Sequence, residues 1–487
     1  MKRFAVILTF ISTLSAAQQT VQPKLSYQFE LGSYFSLTNK LPFWQTSNQY
    51  GNIPDALPAL LLRQSIHSKN DTNRHFCKLS YGFEGVTILG QKPQLLLPES
   101  YLDLKIGKIH FWAGRKKEKI GLVDSTLSSG SISWSGNALP IPKIQIEIPR
   151  YTKLFFDWLA FKGSYSHGWF GNQSFVQNYY LHQKTFFFRL GKPQSSIKLE
   201  GGIVHNVQWG GTPKYNLPIG SDRLFNGKFP EDWFVYGNVV LPFKKLWKES
   251  EKYANYNTFE TDNRFGNHLG SIDLAGEINF KKGILYLYRQ FYFEDGQIFS
   301  LTNTDDGLYG ISYRPKNRSS FKKIVAEFLF TKNQGHYRSA IARLFDIKDR
   351  HYGAQSFYFN HAQYYDGWSY NRQTIGTPFL TPQENLRWEN QFHENGGVFV
   401  NNNRVVAFYV GLENQIGKIK LTNKASYSKN FGAYEIYFTP VTQISYSVNT
   451  LIPLPKIKSL LNVNIGVDHG DLIKDNFGSY VSIMRAW

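Results

Sequence analysis

The chain ends "GSYVSIMRAW" (residues 478–487), and the reading of these ten residues decides the fold. Val481, Ile483 and Trp487 recur at even spacing, so in an extended strand they share one face. Arg485 falls on that face and interrupts it. The same period of two returns along the whole chain. "LSYQFEL" (25–31) puts Leu25, Tyr27, Phe29 and Leu31 on one face, and "SIDLAGEINF" (271–280) does so with Ile272, Leu274, Ile278 and Phe280. "GILYLYRQFYF" (283–293), "KIVAEFLF" (323–330), "KIKLTNKASY" (418–427) and "SLLNVNIGVDHG" (459–470) continue the pattern. Turn formers such as "RPKNRSS", "ENQIG" and "PLPK" separate these runs. Neither a helical repeat nor the fixed period of a solenoid or propeller is visible.

Composition then separates a soluble β protein from a membrane barrel. The chain carries 39 Phe, 30 Tyr and 11 Trp, yet its mean hydropathy is −0.36. Many aromatics on a polar chain suit aromatic girdles outside and a polar lumen inside. No stretch approaches the ~20 apolar residues of a membrane helix. In "MKRFAVILTFISTLSAAQQ" (1–19), Lys2 and Arg3 precede an apolar run and a small-residue site at Ser15–Ala17. This predicts a signal peptide over 1–17 and an exported chain over 18–487. Strands of ~10 residues then give an all-β, transmembrane antiparallel barrel of about 16–18 strands. Its edges must close, because an unpaired backbone group in hydrocarbon costs several kcal/mol. "GSYVSIMRAW" accordingly resembles the closing strand of an outer-membrane barrel, a pattern the barrel assembly machinery reads. Arg485 would cost ~2–4 kcal/mol at mid-membrane but only ~0–1 at an interface, and two residues from the terminus it belongs at the interface.

Charge and cysteine usage bound the partners. Lys and Arg number 55 against 36 Asp and Glu, a net +19, or 55 − 2 − 36 = +17 without Lys2 and Arg3. Such a balance suits polyanions: acidic polysaccharide or the phosphates of lipopolysaccharide. Export argues against nucleic acid. The single cysteine, Cys77, cannot form an internal disulfide and is expected as a small buried side chain.

Topology follows by counting back from a periplasmic C-terminus. Strands are expected over 479–487, 457–467, 434–452, 416–428 and 403–412. "PLPK" and "ENQ" then fall in the periplasm, while "DHGDLIKDNF" and "KNFGA" fall outside. The segment from about 361 to 402 is therefore extracellular, and "YYDGWSYNRQTIGTPFL" (364–380) lies within it. Tyr364, Tyr365, Trp368 and Tyr370 offer flat faces on which sugar rings stack, and Asp366, Asn371 and Arg372 can bond hydroxyls or carboxylates. The competing reading packs these rings inside a plug. Arg115, Lys116, Lys117 and Lys119 in "GRKKEKIG" form a basic cluster, either a contact for acidic sugars or a solvated turn. Pro140 and Pro142 make "ALPIPK" an extended insert or strand end rather than a central strand. Neither G-x-S-x-G nor H-E-x-x-H occurs, and the 12 His show no metal-ligand spacing, so the expectation is a non-enzyme with no cofactor and no metal.

Several of these segments together resemble the Wzi-type capsule assembly family: "FWQTSNQYG" (43–51), "ESYLDLKIGKIHFWAGRKKEKIG" (99–121), "LSSGSISWSGNALPIPKIQI" (127–146), "NHLGSIDLAGEINF" (267–280) with "LYLYRQFYFEDG" (285–296), and "FNHAQYYDGWSYNRQTIGTPF" (359–379). The resemblance implies an integral outer-membrane barrel whose lumen is occluded by its own loops. It further implies lectin-like attachment of capsular or exopolysaccharide at the cell surface. It brings no catalytic residues. An anion-preferring, porin-like channel is the alternative the basic composition leaves open.

Overall fold

In the computed structural model, the described residues are 25–68, 76–214, 223–247, 250–256, 258–294, 303–317, 319–346, 356–393, 398–434, 436 and 438–487. The expected signal peptide over 1–17 lies outside them. Eighteen antiparallel strands form one closed barrel. They are β1 (Leu25–Ser36), β2 (Ala59–Ser68), β3 (Cys77–Gly90), β4 (Gln94–Ile106), β5 (Ile109–Arg115), β6 (Lys143–Lys153), β7 (Leu159–Asn172), β8 (Val176–Leu190), β9 (Ile197–Trp209), β10 (Asn267–Phe280), β11 (Gly283–Glu294), β12 (Gly307–Pro315), β13 (Phe321–Phe330), β14 (Val405–Ile416), β15 (Ile419–Asn430), β16 (Val441–Leu454), β17 (Ser459–Gly470) and β18 (Asn476–Ala486). A two-residue strand, Thr212–Pro213, adds to the sheet beside β8.

Closure occurs where the alternation predicts it. β1 pairs with β2 on one side and with β18 on the other, with Leu31 opposite both Leu62 and Ile483. No edge is left to desolvate. Phe29, Leu31, Val481 and Ile483 face outward and are exposed, as lipid-facing residues must be. The inward side of the same seam is polar and joined by hydrogen bonds. Glu30 accepts from Tyr480 Oη at 2.8 Å and Ser482 Oγ at 2.7 Å, and pairs with Arg63 at 2.8 Å. Arg485 lies at the rim with its guanidinium 5.0 Å from the Trp487 ring, the inexpensive position expected for it.

The two ends of the barrel differ. At the Trp487 end the connections are short, such as 107–108, 281–282 and 417–418; at the other end lie 116–142, 210–266 and 331–404. Outer-membrane barrels keep short turns in the periplasm and long loops outside, so the long-loop end is extracellular. The strand boundaries differ from expectation by a few residues. Gln415 and Asn414 belong to β14, and the periplasmic turn is 417–418. β16 starts at Val441 rather than 434, so the outer loop after Asn430 is longer than "KNFGA". Alternation marks a strand's faces but not the point where pairing stops. Cys77 is exposed at the start of β3, contrary to the expected burial. On a barrel wall an outward small side chain is covered by lipid and needs no protein around it.

Candidate functional site

The lumen is filled by three chain segments that dip in from the extracellular end and lock on one another. The first is 43–52, the second 116–142 and the third 358–382. Between the first two, Tyr50 N–H donates to Gly136 O at 2.8 Å and Gly51 N–H to Asn137 O at 3.0 Å. Between the last two, Ser135 N–H donates to Ile375 O, Thr377 N–H to Ile132 O, both at 3.0 Å, and Trp368 Nε1–H to Ser133 O at 2.8 Å. A side chain at Gly376 would place its Cβ 2.3 Å from Ile132 O, so only glycine permits this approach. The second segment has no regular structure of its own, as Pro140 and Pro142 predict, and most of 127–141 is buried.

The barrel wall supplies acceptors and donors for that irregular backbone. Asp273 on β10 accepts from Leu122 N–H at 2.7 Å, and Gln290 on β11 accepts from Ile132 N–H at 2.9 Å. Glu327 on β13 accepts from Ser129 N–H at 2.7 Å, and Tyr409 on β14 donates to Leu127 O at 2.6 Å. These inward polar residues occupy the other parity of the alternating strands. A buried loop needs such partners because its unpaired backbone groups would each cost free energy.

The candidate sugar-contacting residues divide between the plug and the surface. Tyr364, Asp366, Trp368 and Tyr370 are buried at 1, 4, 0 and 4% exposure, and their faces are covered by protein. Tyr364 packs on Tyr179 and Phe229, with ring centroids 5.5 and 5.2 Å away. The Asp366 carboxylate accepts from Phe175 N–H and Val176 N–H, the latter at 2.8 Å, and so pins this loop to the turn between β7 and β8. Tyr370 Oη accepts from Arg115 at 2.9 Å. These four are packed within the filling of the lumen, as the plug reading expects. Tyr365 is half-buried, while Asn371 and Arg372 are exposed at the tip of a short hairpin in which Ser369 pairs with Thr374. Both tip residues have positive φ, +48° and +64°, the signature of the tight hairpin turn.

The basic cluster is neither a solvated turn nor a free contact surface. Lys116 pairs with Asp103 at 3.1 Å, Lys117 with Glu84 at 2.7 Å, and Lys119 reaches Ser125 O at 3.5 Å. Lys116 and Lys117 thus tie the second segment to the wall, Arg115 at the end of β5 holds Tyr370 of the third segment, and Lys119 bonds within the second segment itself. The acids that hold Lys116 and Lys117 sit on β4 and β3, 13 and 33 residues earlier, which no local motif reveals.

The exposed outer face carries a residue the sequence reading missed. Trp388 is 71% exposed and lies against His393 in a tilted ring pair with centroids 3.9 Å apart. It belongs to a pair of short turns, Gln383–Asn385 and Trp388–Asn390. Glu384 in the first turn pairs with Arg372, and Lys40 bonds Asn385 Oδ1 at 2.9 Å. Arg387 fastens the second turn to the β17–β18 loop through Gly470 O at 2.7 Å and Asp475 at 3.2 Å. "RWEN" has no periodicity to single it out; only its exposure does.

A closed sheet with an apolar outer face, a polar lining and a lumen filled from its extracellular loops defines an integral outer-membrane β-barrel. The chain belongs to the family described as capsule assembly protein Wzi, whose family model matches residues 15–398. Among solved structures the fold is similar to Wzi of Escherichia coli, described as a carbohydrate-binding outer-membrane β-barrel involved in group 1 capsule assembly. That match has 13% identity and a TM-score of 0.55 over 99% of this chain and 87% of that one. The Pseudomonas aeruginosa barrels OpdQ (6% identity, TM-score 0.46, 95% and 99% covered) and OccK9 (9%, 0.47, 95% and 98%) are similar at lower scores. No curated protein matches the chain.

Proposed function

We propose that this barrel binds an acidic capsular or exopolysaccharide on its extracellular face and holds it at the cell surface without catalysis. One observation carries this reading beyond family membership. The extracellular segments seal the lumen, and they also present an exposed tryptophan, Trp388, in a turn unit bonded to the Arg372 hairpin. A flat indole accommodates the apolar face of a sugar ring, and a guanidinium matches a uronate carboxylate. Tyr365 and Asn371 stand at the same hairpin and complete the proposed contacts. Each exposed ion pair is worth only ~0–1 kcal/mol, but a polymer touching many copies gains by effective concentration. The barrel assembly machinery is the proposed partner during insertion, reading the strand that ends at Trp487.

The test is retention of an acidic polysaccharide by the purified, detergent-solubilised protein across a salt series. Binding is expected to weaken as salt rises. Trp388→Ala and Arg372→Gln are each expected to lower it about three- to tenfold, while heat-modifiable gel mobility stays normal. Retention that is indifferent to salt and to both substitutions would remove this surface from consideration.

A further inference from the structure

Three cations stand together on the outward wall of the barrel, above its apolar band. Lys332 follows β13, Arg404 precedes β14 and Lys429 lies near the end of β15. The ladder places them side by side: Phe330 is opposite Val406, and Val406 opposite Lys429. Lys332 and Arg404 continue the β13–β14 pair, which Thr331 N–H extends by donating to Val405 O at 2.9 Å. Lys332 Nζ and Lys429 Nζ lie 4.4 and 5.7 Å from the centre of the same ring, Phe431, and the Arg404 guanidinium lies 4.1 Å from that of Tyr434. Among the described residues no carboxylate pairs with any of the three.

Parity fixes which way these side chains point. Phe328, Phe408 and Tyr427 share their strand faces, and Phe408 and Tyr427 are exposed to the lipid side. Below the cations, Phe328 and Phe408 join Leu274, Leu287, Tyr309 and Ile311 in lining an open apolar groove of about 670 Å³. Four residues of strand separate Phe328 from Lys332, so the groove begins roughly 13 Å beneath the charges. That places the cations at the outer interface and the groove within the outer leaflet.

We infer that Lys332, Arg404 and Lys429, with the groove beneath them, form a binding site for a phosphorylated lipid of the outer leaflet. Its phosphate sits on the three cations, and an acyl chain lies along the Phe328–Phe408 groove. A guanidinium and two ammoniums suit phosphate oxygens, and basic clusters at the edge of an apolar wall select anionic headgroups. A hydrated polymer would satisfy the charges but not the groove. The assignment rests on the outward orientation of these strands, not on polysaccharide binding.

The experiment is native mass spectrometry of the full-length protein in detergent, titrated with bis-phosphorylated lipid A. Wild type is expected to retain it, and the K332Q/R404Q/K429Q variant to retain it at least about tenfold more weakly. K281Q/K282Q/K316Q, which removes three charges at the opposite rim, should match wild type. Dephosphorylated lipid A should bind wild type as weakly as the first variant binds the intact lipid, a comparison that needs no mutant to fold. Equal retention of the two lipids, or undiminished retention by the first variant, overturns the site. Displacement by millimolar inorganic phosphate would also overturn it, as an anion site only. The same variants should bind acidic polysaccharide as wild type does; parallel loss of both ligands would return these cations to the polymer and refute the lipid assignment.

Discussion

Gly32 decides how tightly the seam of the barrel closes. It lies on the inward face of β1, opposite Ser482, and a Cβ there would come within 2.6 Å of the Tyr480 ring. Its absence lets Tyr480 lie across the strand, stack on Tyr34 with ring centroids 4.2 Å apart, and donate to Glu30. Gly32→Val should displace that ring and cost about 1–3 kcal/mol of barrel stability, read as a lower temperature for the heat-modifiable gel shift. Ser33→Val, one residue along and facing lipid, should leave that temperature unchanged. A shift of equal size in both variants would mean that the seam does not depend on this contact. At this scale the sequence was readable for outward residues and opaque for inward ones. Lipid asks only that a side chain be apolar, whereas the fit of Tyr480 over Gly32 needs the partner strand from the other end of the chain.

Among the loop elements, the docking of 358–382 should depend on pH through two groups at its edge. Gln363 Nε2 donates to Glu260 at 2.6 Å, and Gln363 N–H donates to His361 Nδ1 at 3.2 Å. Burial pushes the Glu260 carboxyl up to about 7. Burial, and then the Arg223 charge, holds His361 down to about 3. The signs oppose. The raised carboxyl contributes docking stability that is present below its free value near 4.5 and lost as pH rises through 7. The depressed imidazole contributes stability that is present above its free value near 6.5 and lost as pH falls toward 3. Between about 4.5 and 6.5 the two slopes cancel, so protection of this segment against hydrogen exchange should be flat there and fall on either side. Glu260→Gln should remove the upper limb and move the onset of acid loosening from about 4.5 to about 6.5. An unchanged onset would show that these groups do not set it. The legibility of this element was partial. Parity put it at the end of the barrel opposite Trp487, where it lies, and its aromatic richness marked it as ordered. Which rings turn inward was decided by Tyr179, Phe229 and Ser133, contributed by three distant segments.

For the whole molecule, the interlocked segments predict a barrel that conducts little. An 18-stranded wall without its filling would leave an aqueous channel, but here Trp368, Leu127 and Ile132 occupy the middle of the lumen at or below 1% exposure. In planar bilayers the full chain should show no large steady current. Deleting 127–141 should open one, provided the variant keeps its heat-modifiable mobility. A steady porin-sized current from the intact protein would contradict the plugged lumen and revive the channel reading. The basic excess that first suggested an anion path is partly neutralised in the lumen, where Lys117, Lys143 and Lys323 are each matched by an acid at 2.7 to 3.0 Å.

Period-two alternation with an aromatic terminus determined, by itself, that the chain forms an outer-membrane barrel, and it determined which residues face lipid. Those properties are local: each strand meets the same solvent along its length, so its own sequence suffices. The role of the residues between the strands was decided by the tertiary structure. Lys116 and Lys117 became wall anchors, Arg115 a clasp on Tyr370 and Trp368 a plug residue, while Trp388 was left facing outward. Each of these outcomes depends on which remote acid, carbonyl or ring closure of the sheet brings within reach.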